Sequence, residues 1–432
     1  MRDFVSRRDF TKGAIITGAA LAGGRTAIKA AGANERIRVG VIGCRNRGHQ
    51  NAATFSRIGR FEIVSLCDCD QAMLDRGMGE LEKTLPKKPR LERDFRRLLD
   101  DKGIDAIIIA TPDHWHGLIT VLALEAGKHV YVEKPASHTI LDGKAMVAAQ
   151  RKHPTLVVEV GTQQRSGPHF LEAKAFIAAG GLGTVGFARA WFTADRGTVP
   201  IIPDTAPPAG FDYDMWLGPA PFRPYNEKKT HYNWHFMRDL GTGDMGNWGA
   251  HWIDSIRHLL DLDVPTAVMA TGGTYVEHDA KEFPDTQTVL FEYPNLTLLW
   301  ELREWSPYPV NGMPYGAEIR GEKGTLLIDR GRWTFHPRAG DVQQHPGQEQ
   351  EQAHATNFAD CIAGIAKPAA GIEEGHKTCV LLHLGNIATF LRRRLEWDAV
   401  AETIHNDPDA VTLMGRDYRP PWKMPAVTGA GP

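Results

Sequence analysis

The sequence has few cysteines, no excess of charge of one sign and no long hydrophobic run. Its 432 residues include five cysteines, at positions 44, 67, 69, 361 and 379. The count is odd, and the set does not read as a disulfide framework. The formal net charge is −2, without the basic excess of a nucleic-acid-binding surface. No run reaches the roughly 18 apolar residues of a membrane-spanning helix. No internal repeat is evident, and the one biased tract, Gln-rich 343–352, reads as a surface loop. The remainder is an ordinary globular composition, long enough for two domains. Eleven tryptophans stand out. In a core Trp packs; in a cleft it stacks on sugar rings.

The first residues read as an address. Ser6-Arg7-Arg8-Asp9-Phe10-Thr11-Lys12 is followed by a weakly apolar run at 13–24 and by Ala31-Gly32-Ala33. That order matches a twin-arginine signal peptide over 1–33, with a periplasmic or otherwise exported mature chain and no membrane attachment after cleavage.

From residue 37 apolar strands alternate with helical patterns, the sequence of a doubly wound parallel sheet. Ile37–Ile42 reads as a buried strand, and Gly43-Cys44-Arg45-Asn46-Arg47-Gly48 follows it into a helix. This is the place of a dinucleotide fingerprint, with the helix N-terminus aimed at a pyrophosphate. Arg45 stands where the middle glycine is usual, so Arg45 or Arg47 is a candidate phosphate partner, or the site is weakened. A second strand, 62–67, ends at Asp68, placed to accept from the adenosine ribose hydroxyls and to disfavour a 2′-phosphate. Asp70 could share that task or cap the next helix. A strand at 105–110 runs into Thr111-Pro112-Asp113-His114-Trp115-His116, whose two histidines are expected in the nicotinamide pocket. His129-Val130-Tyr131-Val132-Glu133-Lys134-Pro135 then places a lysine at a strand's carboxyl edge, where open α/β sheets bind ligands. A strand at 156–160 ends in Gly161-Thr162-Gln163-Gln164-Arg165.

Beyond about residue 180 the pattern becomes β-rich, with strands expected at 185–192, 270–276, 286–291, 297–300, 318–320 and 325–328. They predict an open, mostly antiparallel sheet with one packed face. The Pro- and Trp-rich segment 198–240 is too long for a plain connection and is expected to be functional or to cap the active site. A glycine-rich turn then enters a helix within 241–258, where Asn247, His251, Asp254 and His258 share one face. His251 has the intrinsic pKa for proton transfer. Two helices are expected within 352–395, followed by an extended tail. A zinc site at His231, His235 and His251 lacks a carboxylate or Cys ligand, and no metal is expected.

Ala110 to His116, Glu133-Lys134-Pro135, the 243–254 segment, Trp397-Asp398 and the stretch 418–422 together resemble the Gfo/Idh/MocA oxidoreductase family, its exported bacterial branch in particular. The resemblance covers nearly all of the mature chain. It implies a Rossmann domain over 34–165 and an α+β substrate and oligomerisation domain over 166–425, with final helices at 351–395 and a homodimer or homotetramer. Lys134 matches the family's catalytic lysine and His251 its histidine acid/base, while Asn247 stands where the family often has Asp. The cofactor set is then Gly43, Arg45, Asn46, Arg47, Gly48, Asp68, Thr111, Pro112, His116, Glu133 and Lys134. Gln163, Arg165, Asn247, His251 and Lys134 are the substrate set. The implied activity is hydride transfer between a retained NAD, or NADP, and a secondary alcohol of a sugar, sugar derivative or cyclitol. Two other readings are an NAD-dependent glycoside hydrolase that oxidises C3 transiently and a non-catalytic sugar-binding protein.

Overall fold

The computed structural model describes residues 36–426, so the twin-arginine segment lies outside the described residues. Six strands form the first sheet: β1 (Ile37–Ile42), β2 (Phe61–Cys67), β3 (Arg90–Glu92), β4 (Ala106–Ile109), β5 (His129–Val132) and β6 (Val158–Val160). Five helices connect them: α1 (Arg47–Arg57), α2 (Gln71–Leu81), α3 (Phe95–Asp100), α4 (Asp113–Glu125) and α5 (Ile140–Lys152). Every pairing is parallel, in the order β3-β2-β1-β4-β5-β6. Sheets buried on both faces need near-continuous apolar strands, and β4 is buried along its whole length. One face packs on Phe55, Leu74 and Phe358, the other on Leu98, Leu118 and Met146. The short edge strand β3 and helix α3 carry too weak a pattern to be read from sequence.

The second sheet follows α6 (Pro168–Ala178). It contains β7 (Val185–Thr193), β8 (Ala267–Gly273), β9 (Thr286–Tyr293), β10 (Leu296–Arg303), β11 (Tyr315–Gly321), β12 (Gly324–Ile328), β13 (Arg332–Pro337), β14 (Gln343–Pro346), β15 (Leu395–Asp398) and β16 (Thr403–Ile404). Their order is β14-β13-β12-β11-β7-β10-β9-β8-β15-β16. β7 and β10 pair in parallel, and the other pairings are antiparallel. Burial alternates along the strands as a one-sided sheet requires: Ala188, Val289, Leu298 and Leu326 are in the core, whereas Phe187, Leu290, Leu299 and Leu327 are half-buried on the other face.

Between β7 and β8 lie α7 (Tyr213–Leu217), α8 (Gly243–Asn247) and α9 (Gly249–Leu260); α10 (Glu351–Ile362) and α11 (Ile372–Leu391) come later. α6, α9 and α11 cover the second sheet, α10 packs on α1, and α11 also meets α5.

Three expectations need correcting. β8 begins and ends three residues earlier than expected, because the N–H groups of Tyr275, Val276 and Glu277 turn onto the Asp285 carboxylate at 2.7–3.1 Å. Gln343–Pro346, expected as loop, pairs with β13. The tail is not merely extended: Trp397 and Asp398 lie in β15, which adds to the second sheet through Leu395 and Glu396 and pairs with β16. Further on, Trp422 meets Trp115 of α4 edge-on at 4.8 Å.

Candidate active site

The strand order reverses between β1 and β4, and the turns after these two strands touch. Gly43 has φ +88°, and a Cβ there would lie 2.5 Å from the Ala110 carbonyl oxygen. A Cβ on Gly48 would lie 1.7 Å from the Gly43 oxygen. Only glycine lets β1, β4 and α1 approach this closely. Asp70, Asp94 and Thr139 cap α2, α3 and α5 with their side chains, but no side chain caps α1 and its first turn holds no acid. Gly48 N–H bonds the Arg45 carbonyl at 3.0 Å, and the positive dipole end is left for an anion. A cleft of about 230 Å³ opens here, at the strand ends where open α/β sheets bind ligands.

Of the expected cofactor residues, Gly43, Arg45, Asn46, Arg47, Asp68, Thr111, Pro112, His116, Glu133 and Lys134 line this cleft. Gly48 lies beneath it in α1. Asp68 braces the turn, accepting from Cys44 N–H at 2.9 Å and from Asp70 N–H at 3.1 Å. Its carboxyl is pushed up to about 6, chiefly by burial. Each carboxylate oxygen carries two lone pairs, so acceptor capacity remains for a ribose hydroxyl. An uncapped helix end and a carboxylate at the end of β2 fit a dinucleotide.

Of the two arginines, Arg45 keeps its charge and spare donors beside the cleft, whereas Arg47 is held by acids. Arg45 donates to the His231 carbonyl at 2.6 Å. Arg47 pairs with Glu133 at 3.1 Å and Glu351 at 3.2 Å. Asp70 caps α2 by accepting from Ala72 N–H at 2.8 Å and also pairs with His231. His116 lines the cleft, held by the Pro135 and Thr111 carbonyls. His114 does not: it is fully buried against the Leu240 and Trp216 carbonyls and joins α4 to the 198–240 segment.

Lys134 leaves β5 and crosses to the second half of the chain. Its Nζ donates to Asn247 Oδ1 at 2.7 Å and to the Asn247 carbonyl at 3.2 Å. Burial lowers its pKa, against the pull of Glu133 and Asp113. The bond also explains why the expected single helix is two. With the Asn247 carbonyl facing Lys134, His251 N–H bonds Trp248 O at 3.0 Å, one residue short of the α-helical spacing. Asn247 therefore ends α8, and His251 lies in α9.

Asn247 lines the cleft; His251 does not, and its ring lies 6.3 Å from that of Trp248, the residue after Asn247. His251 Nδ1 donates to Gln164 Oε1 at 2.9 Å, which leaves the Nε2 lone pair as a base. Burial first, then Arg330, Lys134 and Arg47, holds His251 well below its usual pKa. Gln164 was not singled out from sequence; its only signal was its place after β6. Arg165 is removed from the substrate set: it forms a buried, two-pronged ion pair with Asp254 at 2.8 Å. Gln163 is buried and outside the cleft lining.

The 198–240 segment supplies Met215, Trp216, His231, Tyr232, Trp234 and His235 to the cleft. Phe211, Tyr213, Trp216 and Tyr225 give it a small core of its own. It is tied to the β2–α2 turn by Gln71 N–H to Gly210 O at 3.1 Å and Asp212 N–H to Cys69 O at 3.0 Å. Among the described residues no three His, Cys, Asp or Glu side chains group as a metal site, and no helix is long and apolar enough to cross a membrane.

Residues 37–162 match the model of an oxidoreductase family with an NAD-binding Rossmann fold, and residues 183–294 and 316–424 match its C-terminal alpha/beta domain. The chain belongs to the Gfo/Idh/MocA family. YrbE of Bacillus subtilis, an uncharacterized oxidoreductase, is 26% identical over 307 residues, 69% of this chain and 76% of that protein. A glycosyl hydrolase family 109 protein of Shewanella is 34% identical over 110 residues, about a quarter (24%) of either chain. The fold is that of the aldose-aldose oxidoreductase of Caulobacter crescentus, crystallised with glycerol, at TM-score 0.66 and 19% identity over 84% of this chain and all of that one. In this Gfo/Idh/MocA protein, the Lys134–Asn247 bond joins the Rossmann sheet to the C-terminal domain's helices.

Proposed function

We propose that this protein oxidises a secondary alcohol of a sugar, sugar derivative or cyclitol, using a nicotinamide dinucleotide held across the strand ends of the first sheet. The observation that carries the reading is Lys134 bonded to Asn247 in the cleft, with His251 four residues further on and its Nε2 free. When bound, the nicotinamide supplies the hydride acceptor. Lys134 donates to the reacting hydroxyl and stabilises the negative charge that develops on its oxygen. His251 Nε2 takes the hydroxyl proton; being neutral at rest, it is ready to do so. Asn247 holds the ammonium in place without adding charge. The 198–240 segment excludes water and keeps the reactants together.

Asp68 favours NAD over NADP, since a 2′-phosphate would meet its carboxylate. Two features support a cofactor that stays bound: the bonds that pin the 198–240 segment beside the cleft, and the twin-arginine pattern, which favours a periplasmic or otherwise exported chain, away from a cytoplasmic nicotinamide pool. The half-buried apolar residues on the outer face of the second sheet support a homo-oligomer. The family 109 match covers too little of either chain to bring glycosidase activity here.

The test is mass spectrometry of the protein as purified, followed by addition of sugars and cyclitols without nucleotide. A co-purifying NAD whose nicotinamide band changes on addition is the expected result. Purified protein that binds no dinucleotide would refute the reading.

A further inference from the structure

Around His251, outside the cleft lining, three buried donors lack acceptors among the described residues. Arg330 lies in the turn between β12 and β13, 5.7 Å from the Trp248 ring centre and 5.9 Å from that of Tyr315. Its Nε is buried without a hydrogen-bond partner, and among the described residues no acid forms an ion pair with it. Its two nearby carboxylates, Glu133 and Glu351, are both engaged by Arg47. Trp248 stacks between Phe192 and Tyr315 and lies 6.3 Å from the His251 ring, and its Nε1 is a second buried donor without an acceptor. Gln164 Nε2, on the side chain that orients His251, is a third. Lys134 is balanced at this point by a neutral amide, Asn247.

A buried donor left unmatched is costly, more so when charged, and a half-buried guanidinium with no counter-ion invites one. Arg330 acts on the reacting groups as well, since its charge lowers the pKa of both His251 and Lys134. A neutral polyol brings as many donors as acceptors and would leave this excess standing. A carboxylate or phosphate brings acceptors alone, and a guanidinium suits either.

We propose that the substrate is an anionic carbohydrate, whose carboxylate or phosphate is received by Arg330 and the neighbouring Trp248 and Gln164 N–H groups. The proposal rests on the oxidation reading for its reacting centre and names the substrate class that reading leaves open. The reacting hydroxyl would face Lys134 and His251, with the anion on the second-sheet side.

Calorimetric titration of the purified holoenzyme with D-glucuronate, D-gluconate, D-glucose 6-phosphate, D-glucose and myo-inositol tests it, with nicotinamide absorbance recorded in parallel. At least one anionic sugar should bind roughly 30-fold or more tightly than its neutral parent, and Arg330→Gln should remove that margin, with Arg330→Lys restoring part of it. Bound-cofactor content and thermal melting of each variant establish that it is folded. The unmutated protein gives a second reading: affinity for the anion should fall as salt is raised, and affinity for the neutral sugar should not. The carboxylate and phosphate arms separate the two anions. Equal binding of neutral and anionic sugars, or a margin that survives in Arg330→Gln, overturns the proposal. Selective anion binding with no change at the nicotinamide band would leave it standing and refute the oxidation reading instead.

Discussion

Lys134 Nζ lies 2.7 Å from the side-chain oxygen of Asn247, so the ammonium is held by an amide rather than an acid. An amide positions the lysine but does nothing to offset the burial that lowers its pKa. Lys134→Ala should cut turnover by roughly 10²–10³-fold while the dinucleotide stays bound, as removal of one donor to a developing oxyanion does. Asn247→Asp should raise the lysine pKa and move the alkaline limb of the turnover profile upward. An unchanged limb would mean that the lysine charge plays no part in turnover.

Gln164 fixes which imidazole nitrogen of His251 carries the proton. Replacing it with Leu removes the acceptor at Nδ1 and frees the ring to take the other tautomer. Turnover should drop by about 10²-fold, with affinity for nucleotide unaffected. Gln164→Glu offers a carboxylate to the imidazolium instead. Since His251 is held well below its usual pKa, the acidic limb of the profile should move up. A pH profile identical to that of the parent protein would remove Gln164 from its positioning role.

What the sequence revealed and what it hid follow from the range of the interactions. The parallel strands were legible because burial on both faces makes each a short apolar run, as in Ala106–Ile109. The glycines at 43 and 48 were legible because close backbone approach admits no other residue. β3 and β14 were not, since they are short edge strands with exposed side chains. Arg165 looked like a substrate ligand because its partner Asp254 is 89 residues away. Nor did the fingerprint position of Arg45 show its bond to the carbonyl of His231, 186 residues away. The break at Trp248 was invisible too, because a lysine from the other domain causes it. Arg330 carried no sequence signal at all; only the fold leaves it without an acid partner among the described residues.

The contacts that hold the 198–240 segment over the cleft should set how long a cofactor remains. His231 is central: its Nε2 donates to Asp70 at 2.8 Å and its carbonyl accepts from Arg45. Burial lowers its pKa, which keeps the imidazole neutral while the bond to Asp70 persists. His231→Ala should speed dinucleotide release by about tenfold, the equivalent of one hydrogen bond of about 1.4 kcal/mol. Arg45→Ala should act in the same direction, and rate measurement by dilution into a nucleotide scavenger resolves both. Unchanged release in both variants would separate the segment from cofactor retention.

Glu159 gives a stability prediction independent of catalysis. It sits in β6, fully buried, 3.5 Å from His354 Nδ1. Burial pushes its carboxyl from the ordinary 4.5 up to about 8. Below pH 4.5 the side chain is protonated in both folded and unfolded chains and contributes no pH dependence. Between about 4.5 and about 8 the unfolded chain releases the proton while the folded chain keeps it. Stability therefore falls with rising pH across that window, by up to about 1.4 kcal/mol per unit. Above about 8 both states are ionised and the loss levels off. Glu159→Gln cannot ionise and escapes this loss. Its Tm should pull ahead of the parent's as pH rises through the window and hold a constant lead above it. Melting curves of the two proteins in matched buffers check this, because every other titrating group is shared and cancels in the difference. A Tm difference that is flat with pH would place the Glu159 pKa in the ordinary range.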